Sequence, residues 1–249
     1  MDILLTGHRG FIGSALLKHL EQDHNVDGID LKDGNDILTF DLAKEYDLII
    51  HLAGRSGVRE SIKDPAAYWY HNVEASRRLF NRYANTRILY ASSSSAYEPD
   101  LNPYAASKFC LEELAARHPN TLGMRFHTVY SDVPRAGMFF DKLLNGKLEY
   151  VTRHKRDFVH LDDVCAAILI LIQATTLKGT VDIGTGCAVS VQEMAPQLPI
   201  RLYTPGEREI TCANTEVMNS LGWEPVHDIK KFLTNNNLHA IISHNKETI

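Results

Sequence analysis

The segment Ile3-Leu4-Leu5-Thr6-Gly7-His8-Arg9-Gly10-Phe11-Ile12-Gly13 narrows the possible folds more than any other part of this chain. A short apolar run reads as a strand. Three glycines follow at a spacing of three, and a helix-length amphipathic stretch begins inside them. Gly7 permits a tight turn. Gly10 lets the backbone come close to a pyrophosphate, which a helix N-terminus attracts through its outward-pointing amides. Gly13 lets the helix lie close on the strand. Any tight turn uses glycine, so the trio gains its meaning from its place at the first strand-to-helix turn. The backbone of Gly7, Arg9, Gly10, Phe11 and Ile12 is the candidate phosphate cradle.

The rest of the chain keeps the same rhythm. Strand-like runs are expected at 3–6, 26–30, 48–53, 88–92 and 122–126, and helices at 11–21, 65–83 and 104–117. Strand–helix–strand alternation requires right-handed crossovers, hence a parallel sheet with helices on both faces. The expected fold class is α/β: a doubly wound Rossmann sheet with a small C-terminal substrate-binding lobe. Residues 1–130 form the dinucleotide-binding domain, and 155–185 return to it. After about Ser131 the segments shorten, so 131–154 and 186–249 are assigned to the lobe, with a polar frayed tail from Asn235.

Charge and composition exclude several other classes. With 249 residues, 44% of them hydrophobic, the chain can bury one full core and a small lobe. A formal net charge of −5 argues against a general nucleic-acid or membrane-surface binder. The longest apolar run, Val164 to Ile172, is too short to span a bilayer. It follows Asp162 and Asp163, so it reads as a buried helix with an acidic first turn. MDILLTG enters a strand at once, without a basic region and apolar signal segment. Cys110, Cys165, Cys187 and Cys212 form no CxxC pair and are expected to be reduced thiols of a cytoplasmic protein. The 12 histidines are scattered, and no metal is expected.

Three further features point to chemistry. Asp30 ends the second strand roughly twenty residues past the glycines, where an acid accepts hydrogen bonds from the adenosine ribose. It would repel a 2′-phosphate, which favours NAD over NADP; Lys32 nearby weakens that preference slightly. Tyr104 and Lys108 are spaced i, i+4 behind Pro103, so they share one face of a helix that the proline helps to start. A phenol ionises near pH ~10. A neighbouring ammonium and a positive nicotinamide ring would lower that value, making Tyr104 a general base. Ser92-Ser93-Ser94-Ser95 follows a strand, placing a hydroxyl at the sheet's carboxyl edge for the reacting oxygen.

Taken together, these motifs resemble the extended short-chain dehydrogenases/reductases of the NAD-dependent epimerase/dehydratase family, over most of the chain. TGHRGFIG is similar to the family's TGxxGFIG. Phe40-Asp41-Leu42 resembles its adenine pocket, with Asp41 toward the exocyclic amine. His51-Leu52-Ala53-Gly54 resembles the strand end that lines the cofactor. SSSSAY places Ser93 at the catalytic Ser/Thr position, and YAASK supplies Tyr104 and Lys108. GVRESIKDP, RFHTVY, KRDFVHLDD and IGTG resemble segments of nucleotide-sugar 4-epimerases, UDP-glucuronate 4-epimerases in particular. There are departures. The stretch between Tyr97 and Tyr104 is short, Ser131 and Glu98 stand where the family has glycine, and Thr204-Pro205-Gly206-Glu207 lacks the usual preceding arginine. The substrate lobe is therefore trimmed.

The resemblance implies a mechanism and a site. Tyr104 takes the proton of the sugar 4-hydroxyl while hydride passes to NAD, and a transient 4-keto sugar turns over before hydride returns. Lys108 holds the nicotinamide ribose, and Ser93 holds the reacting oxygen. Ser94, Ser95, Thr128 and Arg135 would face a uronate carboxylate, and Arg59 and Arg156 the diphosphate, where planar guanidinium groups suit paired oxygens. The resemblance also implies a homodimer formed through the helices near 65–83 and 104–117. Three competing functions stand beside this one. A 4,6-dehydratase needs an acid pair where this chain has Ser94 and Ser95. A net sugar or uronate dehydrogenase or reductase would suit a trimmed lobe. A non-catalytic dinucleotide sensor would have no need of Ser93, Tyr104 and Lys108.

Overall fold

A computed structural model describes residues 1–202 and 204–236; the expected tail beyond Asn236 lies outside the described residues. Six parallel strands form the main sheet: β1 (Asp2–Thr6), β2 (Asn25–Ile29), β3 (Leu48–His51), β4 (Arg87–Ser93), β5 (Thr121–Phe126) and β8 (Gly179–Ile183), in the order β2-β1-β3-β4-β5-β8. A smaller sheet joins β6 (Thr128–Tyr130), β7 (Lys155–His160) and β9 (Ala188–Ser190). The chain doubles back at β1, so β2 and β3 lie on its two sides. Their carboxyl ends open a crevice at that switch point.

Alternation along each strand divides the core. Ile3, Leu5, Leu48, Ile50 and Leu89 join one buried cluster, whereas Leu4, Ile49, Ile88 and Tyr90 join the other. Successive side chains point to opposite faces, and both faces are covered, which gives near-continuous apolar strands. Leu16 and Leu20 of α1 (Phe11–Leu20) belong to the first cluster. Two short helices, α2 (Val58–Lys63) and α3 (Pro65–Tyr68), precede α4 (Ala75–Arg82), and the longer α5 (Pro103–Ala115) follows. Leu79 and Phe80 of α4 and Leu111 and Ala115 of α5 close the second cluster. Beyond α6 (Phe139–Leu144), α7 (Leu161–Gln173) returns to the first face with Val164, Ile168 and Leu171. Its first turn carries Asp162 and Asp163, as expected for the positive end of a helix. A third cluster, with Tyr130, Phe140, Phe158, Val189 and Phe232, sits under the small sheet.

The expected helix 65–83 is interrupted. Between α3 and α4 the backbone widens into a π-helical turn, Trp69–Glu74. The inserted residue swings Asn72 inward, where its amide oxygen accepts the Arg55 N–H and its nitrogen donates to the Ser107 hydroxyl. Single π turns recur where a helix supplies a positioned side chain. The expected strand at 48–53 ends at His51, which leaves Leu52, Ala53 and Gly54 as loop at the sheet edge. Among the described residues, no helix is long and apolar enough to cross a membrane.

Candidate active site

One cleft of about 1380 Å³ runs across the carboxyl edge of the main sheet. Its floor at one end is the glycine turn. Gly7 has φ +74°, and a Cβ there would stand 2.6 Å from the Ala53 backbone nitrogen. A Cβ on Gly13 would stand 2.2 Å from the Gly7 carbonyl, so α1 sits as close to β1 as backbone allows. No side chain caps α1, whose N-cap is Gly10, and Phe11, Ile12 and Gly13 of its first turn line the cleft. This uncapped, glycine-built N-terminus fits a dinucleotide pyrophosphate. Asp30 closes the same corner. Its carboxylate accepts the Arg9 and Lys32 amides, each at 2.9 Å, and Lys32 Nζ donates to the Arg9 carbonyl at 2.8 Å. The carboxylate is thereby aimed before any ribose arrives.

Asp41 and Leu42, expected at the adenine, lie away from the lining of this cleft: Leu42 is buried in the core and Asp41 is exposed beside Arg78 and Arg82. Asp36 and Ile37 line the cleft instead. Leu52, Ala53 and Gly54 do line it. They are held from below by His51, which hydrogen-bonds Thr6 Oγ1 at 2.7 Å and Ser76 Oγ at 2.8 Å. Burial pushes the His51 imidazole down to about 3, so it stays neutral between those hydroxyls.

The middle of the cleft carries the Ser–Tyr–Lys group. Asn102 caps α5 by accepting the Ala105 N–H at 2.8 Å, and Pro103 opens the first turn. Tyr104 and Lys108 then emerge on one face, and Ser93 at the end of β4 lines the same stretch of the cleft, where its hydroxyl favours the charged form of Tyr104. Tyr68 packs edge-on against the Tyr104 ring, with centroids 6.0 Å apart. The electrostatics differ from expectation. Burial raises the Tyr104 phenol above its ordinary value; the Ser93 hydroxyl and the Arg135 charge oppose that rise. Lys108 Nζ donates to the Ala91 carbonyl at 2.7 Å. Burial lowers Lys108 itself to about 8, against the opposing charge of Glu112. Arg135, whose charge favours the phenolate, is held by a 2.7 Å bond to Ser56 Oγ.

The far end is cationic. Arg59 donates to Glu207 Oε1 through two nitrogens, at 3.2 and 3.0 Å, and to the Tyr150 hydroxyl at 2.9 Å. Arg156 reaches the other oxygen of Glu207 at 3.4 Å. Arg201 lies over the Tyr150 ring at 3.7 Å. Arg208 donates to the Ser94 carbonyl at 2.8 Å and ties this end to the serine loop. Ser93, Ser94, Ser95, Arg59, Thr128, Arg135 and Arg156 all line the one cleft. Sequence reasoning missed Glu207, Tyr150, Arg201 and Arg208. The departure at Thr204–Glu207 was the only signal near them.

A Rossmann cleft with a glycine-cradled helix N-terminus and adjoining Ser93, Tyr104 and Lys108 defines a short-chain dehydrogenase/reductase. The NAD dependent epimerase/dehydratase family matches residues 3–184. The chain belongs to that family, and its cofactor is NAD. It is similar to "Protein CapI" of Staphylococcus aureus, 32% identical over 70% of each chain. It is similar also to an "Uncharacterized UDP-glucose epimerase YtcB" of Bacillus subtilis, 31% identical over 94% of this chain and 96% of the other. Among solved structures, MoeE5 in complex with UDP-glucuronic acid and NAD superposes with a TM-score of 0.80 at 29% identity, covering 94% of this chain and 97% of that one.

Replacing Asp30 tests the cofactor corner. Asp30→Ala should narrow the preference for NAD over NADP by roughly 1–3 kcal/mol, as expected for a lost charge-assisted hydrogen bond. Titration of both dinucleotides checks this. Unchanged selectivity would remove Asp30 from that role.

Proposed function

We propose that this protein is a nucleotide-sugar 4-epimerase acting on UDP-glucuronate or a related UDP-sugar through a transient 4-keto intermediate. The observation that carries the reading is the continuity of the cleft, which runs from the glycine turn past Ser93 and Tyr104 to Arg59 and Arg156. NAD, when bound, supplies a reversible hydride acceptor. Tyr104 Oη is placed to take the proton of the sugar 4-hydroxyl and to return it. Ser93 Oγ holds that oxygen, and Lys108 holds the ribose beside it. Positioning and fixed dipoles do most of the work. Asp36 and Ile37 line the cleft where Asp41 and Leu42 do not, and they are the proposed adenine contacts.

Arg59 and Arg156 already converge on one carboxylate, Glu207, and a diphosphate would offer them a second anion of matching shape. Arg135 stands beside Tyr104, where a sugar carboxylate would meet it. Ser94, Ser95 and Thr128 add neutral hydroxyls. MoeE5, whose complexes hold UDP-glucose and UDP-glucuronic acid, supports this substrate class. The lobe, assigned to residues 131–154 and 186–249, contributes Arg135, Tyr150, Arg201 and Glu207 to the substrate half. Exposed Trp69, Tyr70 and Phe109 suit a homodimer through the helices around them, and four free cysteines suit a cytoplasmic setting.

Comparing UDP-glucuronate with UDP-glucose, which differ at carbon 6, tests the carboxylate. Wild type is expected to bind the uronate more tightly. Arg135→Ala should erase most of that margin, about 1.5–3 kcal/mol for a hydrogen bond to a charged group. Thr128→Ala should lose less. A preference for the neutral sugar, or uronate binding untouched by Arg135→Ala, would overturn the uronate assignment. Net production of reduced nicotinamide in step with substrate would favour a dehydrogenase instead.

A further inference from the structure

At the carboxyl end of β7, His160 and Asp162 meet His227 from a distant part of the chain. His160, Asp162 and His227 each offer one ligand atom, and these atoms all lie within 4.8 Å of one another. The two imidazoles are stacked, with centroids 4.0 Å apart and 22° between their planes. His160 is buried and caps α7: its Nδ1 accepts the Asp162 N–H at 3.2 Å, and Asp162 Oδ2 stands 3.7 Å from the same nitrogen. His227 is fixed from the other side. Its Nδ1 lies 2.9 Å from Asp163 Oδ1, a buried carboxylate that also accepts the Val226 and His227 amides. A carboxylate that holds one ring nitrogen as N–H leaves the other with its lone pair outward. This is the outer-shell support that metal-bound histidines use. Asp132 adds a further exposed carboxylate, 3.9 Å from His160 Nε2.

We propose that His160, Asp162 and His227 form a binding site for a divalent first-row transition-metal ion. Two imidazoles and one carboxylate suit zinc or nickel better than calcium or magnesium, which prefer all-oxygen shells. Three such ligands leave a fourth tetrahedral position for water. Capping α7 uses His160 alone; it has no need of a second ring stacked on the first or of the Asp162 carboxylate beside it. None of the three residues lines the cleft, so the site is separate from the catalytic group. It joins the start of α7 to the segment before α10 (Ile229–Asn235), next to loop 131–138, which carries Arg135. A bound ion would therefore brace the loop that presents Arg135.

The test is calorimetric titration of zinc chloride into the full chain after treatment with a chelator. Saturable binding of about one ion is expected. His227→Ala and Asp162→Asn should each weaken it at least ~10-fold, on the scale of losses at metal sites. Cys187 and Cys212 are exposed thiols that could also take zinc. The Cys187→Ser/Cys212→Ser variant should therefore bind as wild type does. Absence of saturable binding, binding lost with the cysteines, or binding unchanged in His227→Ala would overturn the proposal. Should His227→Ala fail to fold, imidazole resonances of the wild type decide: zinc must shift those of His160 and His227, and unmoved signals refute the site.

Discussion

Tyr104→Phe is expected to lower turnover of the true substrate by about 100- to 10,000-fold, the usual loss when a general acid–base group is removed. NAD affinity should stay within about twofold, because the ring, its edge-on contact with Tyr68 and the α5 backbone remain. Only the ionisable oxygen is lost, and with it the group that Ser93 and Arg135 help to ionise. Burial raises this phenol, while Ser93 and Arg135 oppose the rise. Arg135→Ala should therefore move the alkaline-rising limb of the pH–rate profile to higher pH, as well as weakening uronate binding. Steady-state kinetics with a dinucleotide titration checks the first expectation. Wild-type activity in Tyr104→Phe would end the proposed chemistry.

Lys108→Met carries the second large effect. Removing the ammonium should weaken NAD binding and slow turnover together, each by about 10- to 100-fold, since a hydrogen bond to a charged group contributes roughly 1.5–3 kcal/mol. A pH signature accompanies it. In the protein without dinucleotide, burial lowers Lys108 to about 8, below the ordinary lysine value. The unfolded chain then binds more protons than the folded one across that interval, so this residue's contribution to stability rises with pH. The penalty of a buried ammonium is fully present below pH ~8 and fades toward pH ~10.4, where the unfolded lysine also deprotonates. Thermal unfolding of wild type minus Lys108→Met should show the gap narrowing, in favour of wild type, through that window. A pH-independent difference would mean that the ammonium is better solvated or paired than its burial implies.

What the sequence revealed and what it hid follow from the range of the interactions. The glycine turn, the apolar runs of β1, β3 and β4, and the Pro103–Lys108 helix start are local, and local chemistry determines them. Ser93, Tyr104 and Lys108 could be placed because each sits at the end or start of a regular element. The break in helix 65–83 could not be read, because Asn72 is drawn inward by Arg55 and Ser107, far from it in sequence. In the aperiodic loop before β3, spacing does not determine which acid turns to the cleft, and it is Asp36 rather than Asp41 that lines it. Glu207 binds Arg59 across 148 residues, and no local pattern announces such a pair. The direction of the lysine is hidden for a similar reason. An i, i+4 spacing places Lys108 on the right face, but the Ala91 carbonyl, on another element, determines where its ammonium points.

The most direct test of a 4-epimerase is the configuration of carbon 4 in the product. Purified protein incubated with UDP-glucuronate and a catalytic amount of NAD should yield UDP-galacturonate, read by proton NMR as the change in coupling at carbon 4. No reduced nicotinamide should accumulate, and an equilibrium mixture of the two sugars should form from either side. Product that keeps its carbon-4 configuration, or reduced nicotinamide formed one-for-one with substrate consumed, would contradict the epimerase reading.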